Sequence, residues 1–205
     1  MSCKNDVKNT PEKPTFVSRG GLKLDHALRT FNLSVAGLTC ADLGCSTGGF
    51  TDCLLQHGAA RVYAVDTGYG VLDYKLRKDA RVVVMERTNA MHVELPERVG
   101  FISIDVNWTR QEKVLPVAQK LLNNTSDARI ITLIKPHYEA DPAILRQGVV
   151  PEPLVATVLE ATLKRVTACG FRVVSTTQSP IKGSGGRGNV EFLALLERED
   201  LAAKL

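Results

Sequence analysis

From residue 20 onward the chain alternates between two hydrophobic rhythms. Leu24, Leu28 and Phe31 recur at helical spacing, and Gly37 ends the pattern. Residues 38–43 form a short apolar run that stops in a glycine-rich turn, and 50–57 read as a helix closed by Gly58. Strands are expected at 61–65, 81–85, 100–104 and 128–134, and helices at 71–77 and 112–122. Residues 151–168 set Val155, Leu159, Leu163 and Val166 on one helical stripe, with Pro151 near its start and Gly170 after its end. Strands at 171–176 and 190–196 follow with no helix between them.

Strand and helix in repeated alternation imply an α/β domain with a doubly wound, mostly parallel sheet covered on both faces. Seven strands are expected, and the last two, joined by a loop, form an antiparallel edge hairpin. No internal repeat or interdomain linker is visible, so residues 16–205 read as one domain behind a flexible arm at 1–15.

Composition agrees with this. At 205 residues and 44% hydrophobic content the chain buries a core of its own without metal or disulfide, and its apolar fraction is too high for disorder. No apolar run is long enough to span a membrane, and residues 1–15 lack the apolar core of a secretory signal. The five cysteines (3, 40, 45, 53 and 169) form no CxxC pair, and the four histidines lack zinc-ligand spacing. Free thiols, a cytoplasmic setting and no metal follow as expectations. Net charge is +4, and residues 1–29 hold six basic groups against three acidic ones. Such a basic start suits a polyanion such as RNA, or is simply a solvated tail.

The first strand runs into Asp42-Leu43-Gly44-Cys45-Ser46-Thr47-Gly48-Gly49-Phe50. In open α/β sheets, ligands bind beyond the carboxyl ends of the strands. The second strand ends at Asp66, 22 residues after Gly44, where a carboxylate can accept hydrogen bonds from ribose hydroxyls. The spacing is neither G-x-G-x-x-G nor a P-loop. It is a turn of the S-adenosylmethionine (SAM) type.

The turn resembles that of the FtsJ/RrmJ-like ribose 2'-O-methyltransferases, and the wider sequence is similar to their TlyA branch, also called hemolysin A-like. The likeness is carried by six ordered motifs: 16–24 (FVSRGGLKL), 42–52 (DLGCSTGGFTD), 63–70 (YAVDTGYG), 84–89 (VMERTN), 133–139 (LIKPHYE) and 179–192. The resemblance implies a Rossmann-like, SAM-dependent enzyme that methylates RNA, with rRNA or a ribosomal subunit as partner. It also implies a Lys-Asp-Lys-Glu tetrad, matched here by Lys23, Asp105, Lys135 and Glu191. SAM contacts are expected from Asp42, Gly44, Cys45, Ser46, Thr47, Gly48, Gly49, Phe50, Asp66 and Glu86.

Chemistry explains the tetrad's residue types. A ribose 2'-hydroxyl is a poor nucleophile and must lose its proton as it attacks in line with the methyl–sulfonium bond. Lys135 is the expected acceptor, steered by Asp105 and Glu191, with Lys23 orienting the hydroxyl. Singly, a lysine at a strand end is ordinarily a surface charge and an aspartate there a helix cap. Pro136 lacks a backbone donor and stops the strand at Lys135.

Weaker candidates remain open in role. Trp108 either stacks on a nucleobase or packs against the protein. Lys182, Gly183, Gly185, Gly186, Arg187 and Gly188 form a basic loop that either meets phosphates or is plain surface. Two departures from the family stand out. The family normally carries an S4-type RNA-binding domain before the SRGGLKL motif, whereas 15 residues precede Phe16 here, and that domain is expected to be absent. After the catalytic aspartate the family's Ser-Phe-Ile-Ser-Leu is replaced by Val106-Asn107-Trp108-Thr109-Arg110, on the expected acceptor side. Three alternatives stand beside the RNA methyltransferase: an RNA-binding protein with lost or reduced catalysis, a small-molecule methyltransferase, and a cytolysin. No amphipathic basic helix of useful length supports the last. A homodimer is left open.

Overall fold

The helix expected over 71–77 is shorter in the structure, Tyr74–Arg77, and starts after the extended backbone of Asp73 (ψ of 140°), whose side chain caps it by accepting from the Lys75 amide at 2.8 Å. The segment before it is tied down by Glu86, whose carboxylate accepts the amides of Gly70, Val71 and Leu72. The structure, a computed structural model, describes residues 15–183 and 188–199. Most of the expected arm, and Gly185, Gly186 and Arg187 of the basic loop, lie outside them. The elements are α1 (Gly20–Thr30), β1 (Thr39–Leu43), α2 (Gly49–Gln56), β2 (Arg61–Val65), α3 (Tyr74–Arg77), β3 (Val82–Met85), β4 (Phe101–Ile104), α4 (Gln111–Leu121), β5 (Arg129–Ile134), α5 (Pro136–Glu139), α6 (Glu152–Ala168), β6 (Phe171–Gln178) and β7 (Phe192–Arg198). A single 3-10 turn, Pro142–Ile144, follows α5.

The seven strands lie in the order β3-β2-β1-β4-β5-β7-β6. The first five are parallel, and β7 runs antiparallel to both β5 and β6. The β6–β7 hairpin forms the sheet's edge, as expected, and the antiparallel strand is its inner member. Composition explains that choice. The apolar run of β7 is almost wholly buried, whereas the polar positions of β6 face solvent at the rim.

Apolar side chains alternate between two cores. Ile131 and Leu133 of β5 join Leu24 and Leu28 of α1 and Phe50 and Leu54 of α2 on one face. Ile130 and Ile134 join Val114 and Leu115 of α4 and Val166 of α6 on the other. The sheet is therefore doubly wound. From β1 the chain moves outward through β2 and β3, then returns to place β4 on the other side of β1. Loops leaving β1 and β4 diverge there, and a cleft opens beyond their carboxyl ends.

Candidate active site

Gly44 follows β1 with φ of +88°, and a Cβ there would stand 2.4 Å from the Asp105 carbonyl oxygen. Glycine is thus what lets the ends of β1 and β4 close on each other. The Gly44 and Cys45 amides both donate to the Val65 carbonyl, at 2.9 and 3.0 Å, which ties the turn to the end of β2. At Gly49 a Cβ would lie 2.3 Å from the Ser18 hydroxyl, so the start of α2 is pressed against the segment leading into α1. Asp66 accepts from the Ser46 amide at 2.8 Å and from the Gly68 amide at 2.7 Å.

A cleft of about 640 Å³ sits above this turn. All four residues of the expected tetrad line it. The Lys23 Nζ lies 2.5 Å from Glu191 Oε2, joining positions 168 residues apart. Lys135 Nζ lies 2.5 Å from Asp105 Oδ1 and donates to Asn107 Oδ1 at 2.6 Å. Both lysines are only 8% exposed, so each buried charge needs the carboxylate beside it. Lys135 is held by its position directly after β5, where Pro136 starts α5. Tyr138, on that same turn, places its ring 5.9 Å from Lys135 Nζ and 4.9 Å from the Trp108 ring. Burial raises the Tyr138 phenol above its ordinary pKa, helped by the charges of Glu191 and Asp105. Burial, then the Lys135 charge, lowers that of His137.

Of the ten expected SAM contacts, Gly44, Cys45, Ser46, Thr47, Gly49, Phe50 and Asp66 line the cleft. Asp42, Gly48 and Glu86 do not, and each has a structural partner instead. Asp42 is fully buried behind the turn, accepting from the Thr51 hydroxyl at 2.7 Å and the Ser103 hydroxyl at 3.0 Å. Its complete burial pushes its pKa up to about 7. Gly48 makes room for Leu76 and Leu72 of the α3 region. Glu86 accepts the amides of 70–72 and pairs with Arg77; the Gly70 amide first, then the Leu72 amide and Arg77, hold its carboxyl at about 2.

Sequence reasoning did not assign Asn107, Tyr138 or the wall formed by Thr88, Asn89, Ala90 and Met91. Their signal was present: Asn107 lies in the stretch that departs from the family, and Tyr138 and Asn89 lie inside quoted motifs. Trp108 is 85% exposed, which decides against a partly buried packing role, and it lines the cleft beside Tyr138. Among the described residues one trio, Asp25, Cys53 and His57, brings possible metal-ligand atoms within 4.8 Å of one another. His57 Nε2 is already 2.8 Å from Asp25, whose other oxygen holds Arg29 at 2.9 Å, so internal pairing accounts for it.

Fold and cleft together define an SAM-dependent methyltransferase. The model of the FtsJ-like methyltransferases matches residues 16–198, and the chain belongs to that family. It is 42% identical to Hemolysin A of Brachyspira hyodysenteriae, over 87% of this chain and 75% of that protein. It is 40% identical to the 16S/23S rRNA (cytidine-2'-O)-methyltransferase TlyA of Mycobacterium tuberculosis, over 93% of this chain and 71% of that one. A solved chain from Streptococcus thermophilus whose name carries the hemolysin label is 43% identical and superposes with a TM-score of 0.87, over 93% and 70% of the two chains. The chain thus spans 66% to 75% of the length of three curated relatives that it matches. Among the described residues no helix is long and apolar enough to cross a membrane.

Proposed function

We propose that residues 16–205 act as one methyltransferase domain that moves the methyl group of SAM to a ribose 2'-hydroxyl of RNA in the cytosol, with rRNA the acceptor class. The observation that carries this reading is the pair of buried lysine–carboxylate contacts, Lys135–Asp105 and Lys23–Glu191, facing one cleft with the glycine turn. The named substrates of the Mycobacterium tuberculosis relative favour rRNA.

The residues at the turn fit SAM. Each oxygen of Asp66 accepts one amide and keeps a further lone pair for ribose hydroxyls. Ala90 and Met91 offer an apolar wall beside it. When bound, SAM supplies an electrophilic methyl group on a sulfonium. In its free-base form Lys135 takes the proton of the 2'-hydroxyl, with Asp105 and Asn107 fixing the position of its nitrogen. Lys23, anchored by Glu191, steadies the negative charge growing on the hydroxyl oxygen. Alignment of the hydroxyl supplies much of the rate.

Lys135→Ala is expected to lower methyl transfer to rRNA at least about 100-fold, the usual scale of general-base loss. Calorimetry should still find SAM bound, which also reports a folded variant. Turnover near that of the wild type on its true RNA would overturn the assignment.

A further inference from the structure

Pro136 and Lys135 are neighbours in the chain but line different spaces. Lys135 lines the catalytic cleft, whereas Pro136 lines a second cavity of about 400 Å³. Lys182, Gly188 and Asn189 line both, so the two spaces adjoin. One wall of the second cavity is apolar, built by Pro136, Val149, Val150, Pro151 and Val155. Three charged residues line it, Arg146, Lys182 and Glu152, giving a net charge of +1.

Arg146 is presented on a stiff support. The Arg146 and Val149 amides each donate to the other residue's carbonyl, at 2.9 and 3.0 Å, closing a two-residue hairpin. Its central residues, Gln147 and Gly148, both have positive φ, +50° and +78°. Asn189 ties the tip down by donating to the Gly148 carbonyl at 3.2 Å. A small apolar cluster of Ala140, Val150 and Val158, with Ile144, Leu145 and Val155, roots the segment. The hairpin thus fixes the backbone from which the exposed Arg146 side chain reaches the cavity.

We propose that this second cavity is the subsite for the nucleotide adjoining the acceptor ribose, with Arg146 and Lys182 holding its phosphodiester and the proline–valine wall carrying its sugar and base. The proposal rests on the RNA reading above. A ribose placed at Lys135 must put its neighbouring nucleotide in a space adjoining the cleft, and the cavity that starts at Pro136, the next residue, is net-cationic and adjoins it. Among the described residues neither Arg146 nor Lys182 is engaged in an ion pair that would compete with phosphate.

The test uses the full chain and a ten-nucleotide oligouridylate followed by fluorescence anisotropy across salt concentrations. Arg146→Ala and Lys182→Ala should each weaken binding roughly tenfold and reduce the slope of log affinity against log salt by about 0.7, one phosphate contact on a single strand. Arg146→Lys should keep the slope. Lys164→Ala, on the exposed face of α6, should change neither quantity. In methyl-transfer assays on deproteinised rRNA, Arg146→Ala should raise KM and spare kcat, with SAM affinity unchanged by calorimetry. Wild-type affinity and slope in both alanine variants would overturn the subsite. If those variants lose slope while Lys135→Ala keeps its turnover, the catalytic reading fails and the subsite stands.

Discussion

Asp42→Asn isolates the cost of burying an ionisable group under the glycine turn. The Asp42 carboxyl ordinarily titrates at 3.8, and complete burial pushes it to about 7. Hydroxyl donors from Thr51 and Ser103 offset part of that rise, and the charge of Asp105 adds to it. Between those two values the folded protein keeps a proton that the unfolded chain has released. Unfolding therefore becomes easier as pH rises, by about 1.4 kcal/mol per pH unit, and the loss is complete above about pH 7. The gap from 3.8 to about 7 corresponds to about 4 kcal/mol at full extent. Asparagine does not titrate, so subtracting the variant's stability cancels every other group. Denaturant unfolding at several values from about pH 4.5 to about pH 7.5 should show the wild type's advantage over Asp42→Asn shrinking by about 3 kcal/mol. Profiles parallel within about 0.5 kcal/mol would refute the assignment of a protonated, buried Asp42.

Gly44→Ala sets a methyl group 2.4 Å from the Asp105 carbonyl at a backbone with φ of +88°. It should cost about 2–4 kcal/mol in denaturant unfolding and displace Asp105 from Lys135, so methyl transfer falls even where the variant is folded. Wild-type stability would show that the β1–β4 approach is slack. Trp108→Ala removes an exposed ring and should leave stability within about 0.5 kcal/mol. It should also weaken RNA binding by about 1–3 kcal/mol, read as a raised KM. An unchanged KM would remove Trp108 from the acceptor side.

Much of the fold was legible because burial leaves a local trace. The strand at 61–65 is found as expected, and the other strands shift by a residue or two at their ends. The shortened α3 was not legible, because the segment before its Asp73 cap is held from more than ten residues downstream, by Glu86, through backbone amides that carry no side-chain signal. The inner place of β7 was hidden for a related reason. A hairpin's pattern does not say which strand meets the sheet, although the apolar run of β7 and the polar positions of β6 agree with the outcome.

At the site, motif and chemistry named residue types, and packing sorted them. Asp42, Gly48 and Glu86 belong to the same motifs as the cleft-lining residues, yet serve hydroxyls, leucines and loop amides. By itself the sequence determined the alternation of elements, the glycine turn and the candidate set of lysines and carboxylates, since these depend on local periodicity and residue identity. Tertiary structure alone decided that Lys23 meets Glu191, that Lys135 meets both Asp105 and Asn107, and that Arg146 stands beside the cleft. Those pairings join segments 28 to 168 residues apart, and only the closure of the sheet brings such distant positions within reach of a hydrogen bond.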